Sequence, residues 1–189
     1  GEPDGSFADS GFDPTATLVW ETFHHRSELF PFNDGVAVIP QPWNDPPKYV
    51  FQVEGTEYIT PFSNYNNLDE TTQIGQNAIY FPRMHGDPAA QILFEAKVNR
   101  VESDYVTGIF DSIALPITLP VNTLEVKAAW VSIDAIPENE RYRYHTSEVI
   151  IYEGTDEDPV ATLETRALLG LHIIQKTPNY PAFIFATFE

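Results

Sequence analysis

The sequence predicts a mainly β protein: an antiparallel sandwich or half-barrel sheet with one or two short helices and long loops. Three observations carry that reading. Several segments alternate apolar and polar residues with a period of two, the period of a strand with one face on a core. Turn formers crowd between them, with 16 Pro and 10 Gly in 189 residues, as short strands joined by turns require. No fixed-period repeat, low-complexity tract or interdomain linker interrupts the pattern. One domain over 17–189 therefore suffices, preceded by an extended arm over 1–16 rich in Gly, Asp, Ser and Pro.

The central element is 159–176, PVATLETRALLGLHIIQK. Read with a period of two, Ala161, Leu163, Thr165, Ala167, Leu169, Leu171 and Ile173 form an almost wholly apolar side. The other side carries Glu164, Arg166, His172 and Lys176. Helix formers crowd Ala161 to Leu171, but Gly170, the β-branched Ile173 and Ile174 and the Thr177-Pro178 stop favour a strand. At roughly 3.3 Å per residue it would run ~55 Å, so a bend or bulge near Gly170 is expected.

The remaining elements follow in order. Over 17–30, TLVWETFHHRSELF predicts a short helix with Trp20 and Phe23 turned inward, and the adjacent His24 and His25 read as exposed. Short strands are expected over 36–39 and 48–54, and the Asn-rich 61–86 reads as a long solvated excursion. Ala90 to Asn99 alternates, with Phe94, Ala96 and Val98 on one side and Leu93, Glu95 and Lys97 on the other. A helical turn follows at 100–108. The next strand, TLEVKAAWVSI, separates Leu124, Val126, Ala128 and Trp130 from Glu125 and Lys127. Strands over 141–152 and through AFIFATF complete the sheet.

Ten Lys and Arg against 28 Asp and Glu give a net charge of -18. Such a surface repels nucleic acid and anionic membrane, leaving a cationic ligand, metal ions or plain solubility as its meaning. The absence of cysteine removes disulfides, thiolate metal sites and cysteine nucleophiles together. No apolar run approaches the ~18 residues of a membrane-spanning helix. The acidic balance leans towards a secreted or periplasmic protein.

Three strands share one chemical pattern: Glu95-x-Lys97, Glu125-x-Lys127 and Glu164-x-Arg166. Acid and base two residues apart project from the same face of a strand, ~7 Å apart. If the three strands are neighbours, a patch of paired charges crosses one sheet face, extended by His172 and Lys176. In that patch His172 is the natural proton carrier, Lys127 and Lys176 hold an anion, and Glu95 and Glu125 orient. The expected catalytic set is thus His172, Lys176, Glu125 and Lys127, with Glu95, Lys97, Arg166 and Trp130 as ligand contacts. The plain alternative is cross-strand ion pairing, worth ~0.2–1 kcal/mol per pair.

Recognisable nucleophile, phosphate-loop and dinucleotide motifs are missing. The five histidines are scattered, so a metal built on His172 and a neighbouring Glu would have to be assembled by the fold. No metal is assigned and the cofactor is left open. The first functional expectation is a pocket for a small polar ligand over the charged face. A non-catalytic surface or assembly protein, using its arm and loops for subunit contacts, is the second. Carbohydrate binding through Tyr65, Tyr80 and Trp43 is a third.

Several strings, VWET at 19–22, ILFEAKVN, LEVKAAW, GLHIIQKTP and FIFATFE, together resemble an uncharacterised family of predicted exported bacterial proteins with E-V-K-A-A-W and G-L-H-I-x-x-K-T-P motifs. The resemblance covers most of the chain after Thr17. It implies export, supplies no reaction, and falls on Glu95, Lys97, Glu125, Lys127, Trp130, His172 and Lys176. The sequence departs from the family at Ala182, Phe183 and Phe185, where the family is Trp-rich, and in ending after FATFE, where members continue.

Overall fold

Alternation becomes a hydrogen-bonded ladder in the computed structural model, which describes residues 13–30, 32–33, 36–37, 39–53, 56–63, 65–70, 78–82, 89–110, 117–155, 158–180 and 182–189. The strands are β1 (His24–His25), β2 (Phe32–Asn33), β3 (Val36–Ala37), β4 (Val50–Val53), β5 (Thr56–Ile59), β6 (Asn66–Asn67) and β7 (Ile79–Phe81). The long ones come later: β8 (Ala90–Val98), β9 (Leu124–Ser132), β10 (Thr146–Thr155), β11 (Asp158–Lys176) and β12 (Phe183–Phe188). Helix α1 is the single turn Arg26–Leu29 and α2 is Arg100–Ile109. Among the described residues one eight-stranded sheet, curled nearly into a barrel, has the order β1-β8-β9-β11-β10-β6, with β12 beside β11 and β7 beside β8. The protein is mainly β, as the alternation predicts.

Strand β11 is the spine. Its first half pairs with β10, its second half with β12, and β9 runs along its other edge. The expected irregularity is a β-bulge: Leu168 pairs with Trp130 and Gly170 with Ala129, leaving Leu169 as the extra residue. The bulge needs that extra residue more than it needs glycine, since a Cβ on Gly170 would meet Phe188 O at an ordinary 3.5 Å.

Residues paired directly opposite share a face, so the registers define both sides of the sheet. One row runs His25, Lys97, Val126, Ile173; the next runs Glu95, Ala128, Leu171; the next runs Leu93, Trp130, Leu168; and Ser132, Arg166 and Ser147 follow. This is the Trp130 face. Its core joins Leu68, Leu93, Ala128, Trp130, Val149 and Ile151, with Trp20, Leu168 and Leu171 packed against them. The opposite, Val131 face carries Val98–Glu125–Ile174 and Ala96–Lys127–His172–Thr187. Its core gathers Ala90, Val131, Ala135, Ile136 and Ala167. The middle of the sheet is therefore covered on both sides.

The predicted helix over 17–30 does not form. Glu21 reaches back to accept the Leu18 N–H at 2.6 Å, and Glu28 the His25 N–H at 2.7 Å. Each such back-bond caps a new helical start, so the segment breaks into a 3₁₀ turn at Val19–Thr22, strand β1 and the single turn α1. Pairing β1 to β8 buries both histidines, His24 at 5% and His25 at 0% exposure, against the expectation that they are exposed.

Part of the supposed solvated excursion is also buried. Asn66 and Asn67 pair in parallel with Val149 and Ile150, and Leu68 joins the Trp130 core. The expected strand over 141–152 starts only at Thr146, after a 3₁₀ stretch at Glu138–Arg143. Of the expected arm, residues 1–12 lie outside the described residues; Pro14 accepts a hydrogen bond from the Thr146 N–H.

Helix α2 begins where Asn99 Oδ1 accepts the N–H of Glu102 at 3.2 Å. Asn122, at φ 71°, turns the chain into β9, and asparagine tolerates that left-handed conformation.

Candidate functional site

Register divides the expected charged patch in two. Glu95 and Lys97 lie opposite Ala128 and Val126, not opposite Lys127 and Glu125. Glu95, Lys97, Arg166 and Trp130 therefore share the Trp130 face, while Glu125, Lys127, His172 and Lys176 project from the Val131 face. The picture of three acid–base pairs on one face is corrected by a one-residue offset between β8 and β9, and a one-residue offset exchanges faces.

On the Trp130 face the charges are deeply buried and joined. Lys97, 1% exposed, donates from Nζ to the Glu21 backbone O at 2.6 Å and to Asn66 Oδ1 at 2.6 Å. Its Nζ also stands 3.7 Å from Glu95 Oε2 and 5.9 Å from the Trp20 ring centroid. Trp130 Nε1 donates to Glu95 Oε1 at 3.0 Å. Burial pushes the Glu95 carboxyl up, with Lys97 opposing the shift.

From Asn66 the network runs outward. Asn66 Nδ2 donates to Glu21 Oε1 at 2.6 Å and to Ser147 Oγ at 3.3 Å, and His145 Nε2 lies 3.1 Å from Glu21 Oε2. Burial would raise the Glu21 carboxyl, but His145, the Leu18 N–H and Asn66 outweigh it and hold it below the usual range. Arg166 stands apart from this network, held by Glu164 at 2.8 Å on its own strand.

Beside Glu21 and Asn66 lies a cleft of about 400 Å³ at the start of β10, between the Thr15–Thr17 stretch and the point where β6 joins the strand. Six hydroxyl-bearing residues line it, Thr15, Thr17, Tyr65, Thr146, Ser147 and Thr165, together with the acidic Glu21 and Glu148. Among the described residues nine line it, and none of them is cationic. Of the aromatic residues expected to bind carbohydrate, Tyr65 lines this cleft, Trp43 stacks on His24 at 4.3 Å, and Tyr80 lies elsewhere on the surface.

The residues expected to be catalytic are dispersed along the Val131 face. His172 and Lys127 are direct cross-strand neighbours, yet each has its own partner. His172 Nδ1 meets Thr187 Oγ1 at 2.7 Å and its ring stacks on Phe185, while Lys127 Nζ pairs with Glu70 at 2.9 Å. Lys176 Nζ donates to the Leu119 carbonyl. Glu125 is half-buried near Glu102, and burial raises its carboxyl. Glu102 is pushed up to about 7, first by burial and then by Glu125.

Charges on the two faces meet around the edge of β8, where Glu70 pairs with Phe94. His25 Nδ1 accepts the Ser27 N–H at 3.1 Å, and its Nε2 stands 3.3 Å from Asp69 Oδ1. Asp69 also pairs with Arg26 at 2.8 Å, Arg26 with Glu70 at 3.2 Å, and Glu70 with Lys127. Burial would raise Asp69, but His25 and Arg26 hold it below the carboxylate range. Residues Glu21, His25, Asn66 and Asp69 were missed in the sequence because none belongs to an alternating strand pattern, and His145 because it falls just ahead of β10, which starts at Thr146. Among the described residues no cluster of three or more metal-ligating side chains forms.

No family model, curated protein or solved structure matches the chain.

Two stability effects follow from the buried groups. Lys97→Met removes the cation and leaves Glu95, Asn66 Oδ1 and the Glu21 carbonyl without it. A cost of ~3–5 kcal/mol is expected in denaturant unfolding, partly recovered when Glu95→Gln is added. A cost under ~1 kcal/mol would mean that the network is not holding the two loops. Glu102 gives a pH signature. Its carboxyl rises from an ordinary 4.5 to about 7 on folding, so the folded chain binds more protons between those values and its stability falls as pH rises through that window. At ~1.4 kcal/mol per pKa unit, less the screening by solvent that still reaches it, Glu102→Gln should stabilise the protein by ~1–2 kcal/mol at pH 8 and by almost nothing at pH 4. Equal effects at both pH values would show that burial is not acting on that carboxyl.

Proposed function

We propose that this is an exported protein that binds a small polar ligand in the cleft at the start of β10. The observation that supports the reading is the cleft's floor. Glu21 and Asn66 stand there at the outer end of the network anchored by Lys97, with their side chains already fixed by Leu18 N–H, His145, Ser147 and Lys97. Fixed polar groups bind a ligand without the cost of ordering them. The volume, about 400 Å³, lies within the ordinary range for small-molecule sites, ~300–1,000 Å³. Binding is favoured over catalysis because His172, Lys176, Glu125 and Lys127 do not converge on this cleft.

The test is a titration followed through the backbone amide resonances of Asn66 and Ser147, using glucose, putrescine and succinate as a neutral polyol, a diammonium and a dianion. At least one probe should shift both amides saturably, and Ser147→Trp, which fills the cleft, should abolish the response. Silence to all three, or a response that survives Ser147→Trp, overturns the reading.

A second reading, assembly, is supported by β12. Ile184, Phe185 and Phe188 are 46%, 62% and 59% exposed on a strand paired only with β11 among the described residues. Such an edge invites pairing with another chain. Sedimentation of the wild type against Phe185→Glu decides it: an oligomer dissolved by the substitution supports assembly, and a monomer in both removes it.

A further inference from the structure

The cleft's chemistry selects among ligand classes, and this step rests on the cleft being a ligand site as proposed above. We infer that the ligand is a small organic cation, an alkyl ammonium, held at the Glu148 rim. Four observations converge.

First, among the described residues no lining side chain can neutralise an anion, so a carboxylate or phosphate would be met there by acceptors and by hydroxyls alone. Second, the two lining carboxylates differ in availability. Glu21 is engaged by Leu18 N–H, Asn66 and His145, whereas among the described residues no hydrogen bond or ion pair engages the exposed Glu148 carboxylate. An incoming cation therefore finds one free carboxylate and does not have to break the floor.

Third, Thr165 lies directly across from Glu148 and Thr146 stands two residues before it, so both hydroxyl residues share the face of Glu148 and line the same cleft. An ammonium carries three donors and no acceptor, and carboxylate plus hydroxyl oxygens match it. Tyr65 adds an aromatic surface on which an alkyl ammonium can rest. Fourth, the net charge of -18 concentrates cations near the protein, and a cleft focuses that field. A neutral sugar would use the same hydroxyls but would gain nothing from the charge.

The experiment compares putrescine, glucose and succinate by the Asn66 and Ser147 amide shifts and by calorimetry, in wild type, Glu148→Gln, Glu148→Lys and Ser147→Trp. Glu148 is exposed, so its variants should fold normally. Putrescine is expected to bind alone, weakening about three- to fivefold in Glu148→Gln. It should weaken further in Glu148→Lys and with rising salt, and be lost in Ser147→Trp. Glucose binding in the cleft without putrescine would overturn the cationic inference and leave the cleft as a ligand site. Putrescine binding that ignores Glu148→Gln, or that survives Ser147→Trp, would mark attraction to the acidic surface at large and overturn it too. Silence to every probe would overturn the inference together with the cleft reading.

Discussion

An ammonium group buried in the sheet face is the constraint on which this structure turns. Lys97 sits in the middle of a row whose other members are His25, Val126 and Ile173. A buried cation without acceptors would cost several kcal/mol. Its acceptors come from far along the chain: the carbonyl of Glu21, 76 residues away, and the amide of Asn66, 31 residues away. Satisfying one charge therefore fixes where two otherwise irregular segments must lie. The Val19–Thr22 turn brings Trp20 onto Trp130 at 6.1 Å, and β6 brings Leu68 into the same core.

The two faces of the sheet are electrically joined without any charge crossing it. Asp69 and Glu70 are consecutive residues running along the edge of β8, so they lean to opposite sides. Asp69 takes His25 from the Trp130 face, Glu70 takes Lys127 from the Val131 face, and Arg26 binds both acids. Charges that look like separate cross-strand pairs in the sequence are thus linked from β1 to β9 by one exposed arginine at the sheet edge.

What the sequence could and could not say follows from the same geometry. Period-two alternation marked β8, β9 and β11, and the length of β11 with Gly170 inside it marked the bulge, because these are properties within one strand. Which face two strands share depends on pairing register, and register is a property between strands. Glu95-x-Lys97 and Glu125-x-Lys127 look identical in sequence yet face opposite ways, since Ala128 and not Lys127 lies across from Glu95. The bulge adds a second change of phase. Arg166 and His172, an even number of residues apart, fall on different faces because Leu169 is skipped in the ladder. The loop residues Glu21, Asn66 and Asp69 carried no periodic signal at all; only the buried cation and histidine that need them give them a place.

Stability alone does not account for a network of this kind. Replacing a buried ion pair by well-packed apolar side chains is often neutral or favourable, by ~1–4 kcal/mol, and the same face already holds an apolar core around Trp130. What a polar network does supply is fixed geometry, because each member is satisfied in only one arrangement. Here that arrangement ends at Glu21 and Asn66, whose outer sides border the cleft. A carboxylate held by three donors and an amide held by a lysine, a glutamate and a serine cannot swing to meet a ligand. They form a rigid floor on the Trp130 face, while Glu148, around the edge of β10 on the other face, is the lining carboxylate left over. The division of labour is physical: burial consumes the charge of Glu21 for architecture, and exposure leaves that of Glu148 for recognition.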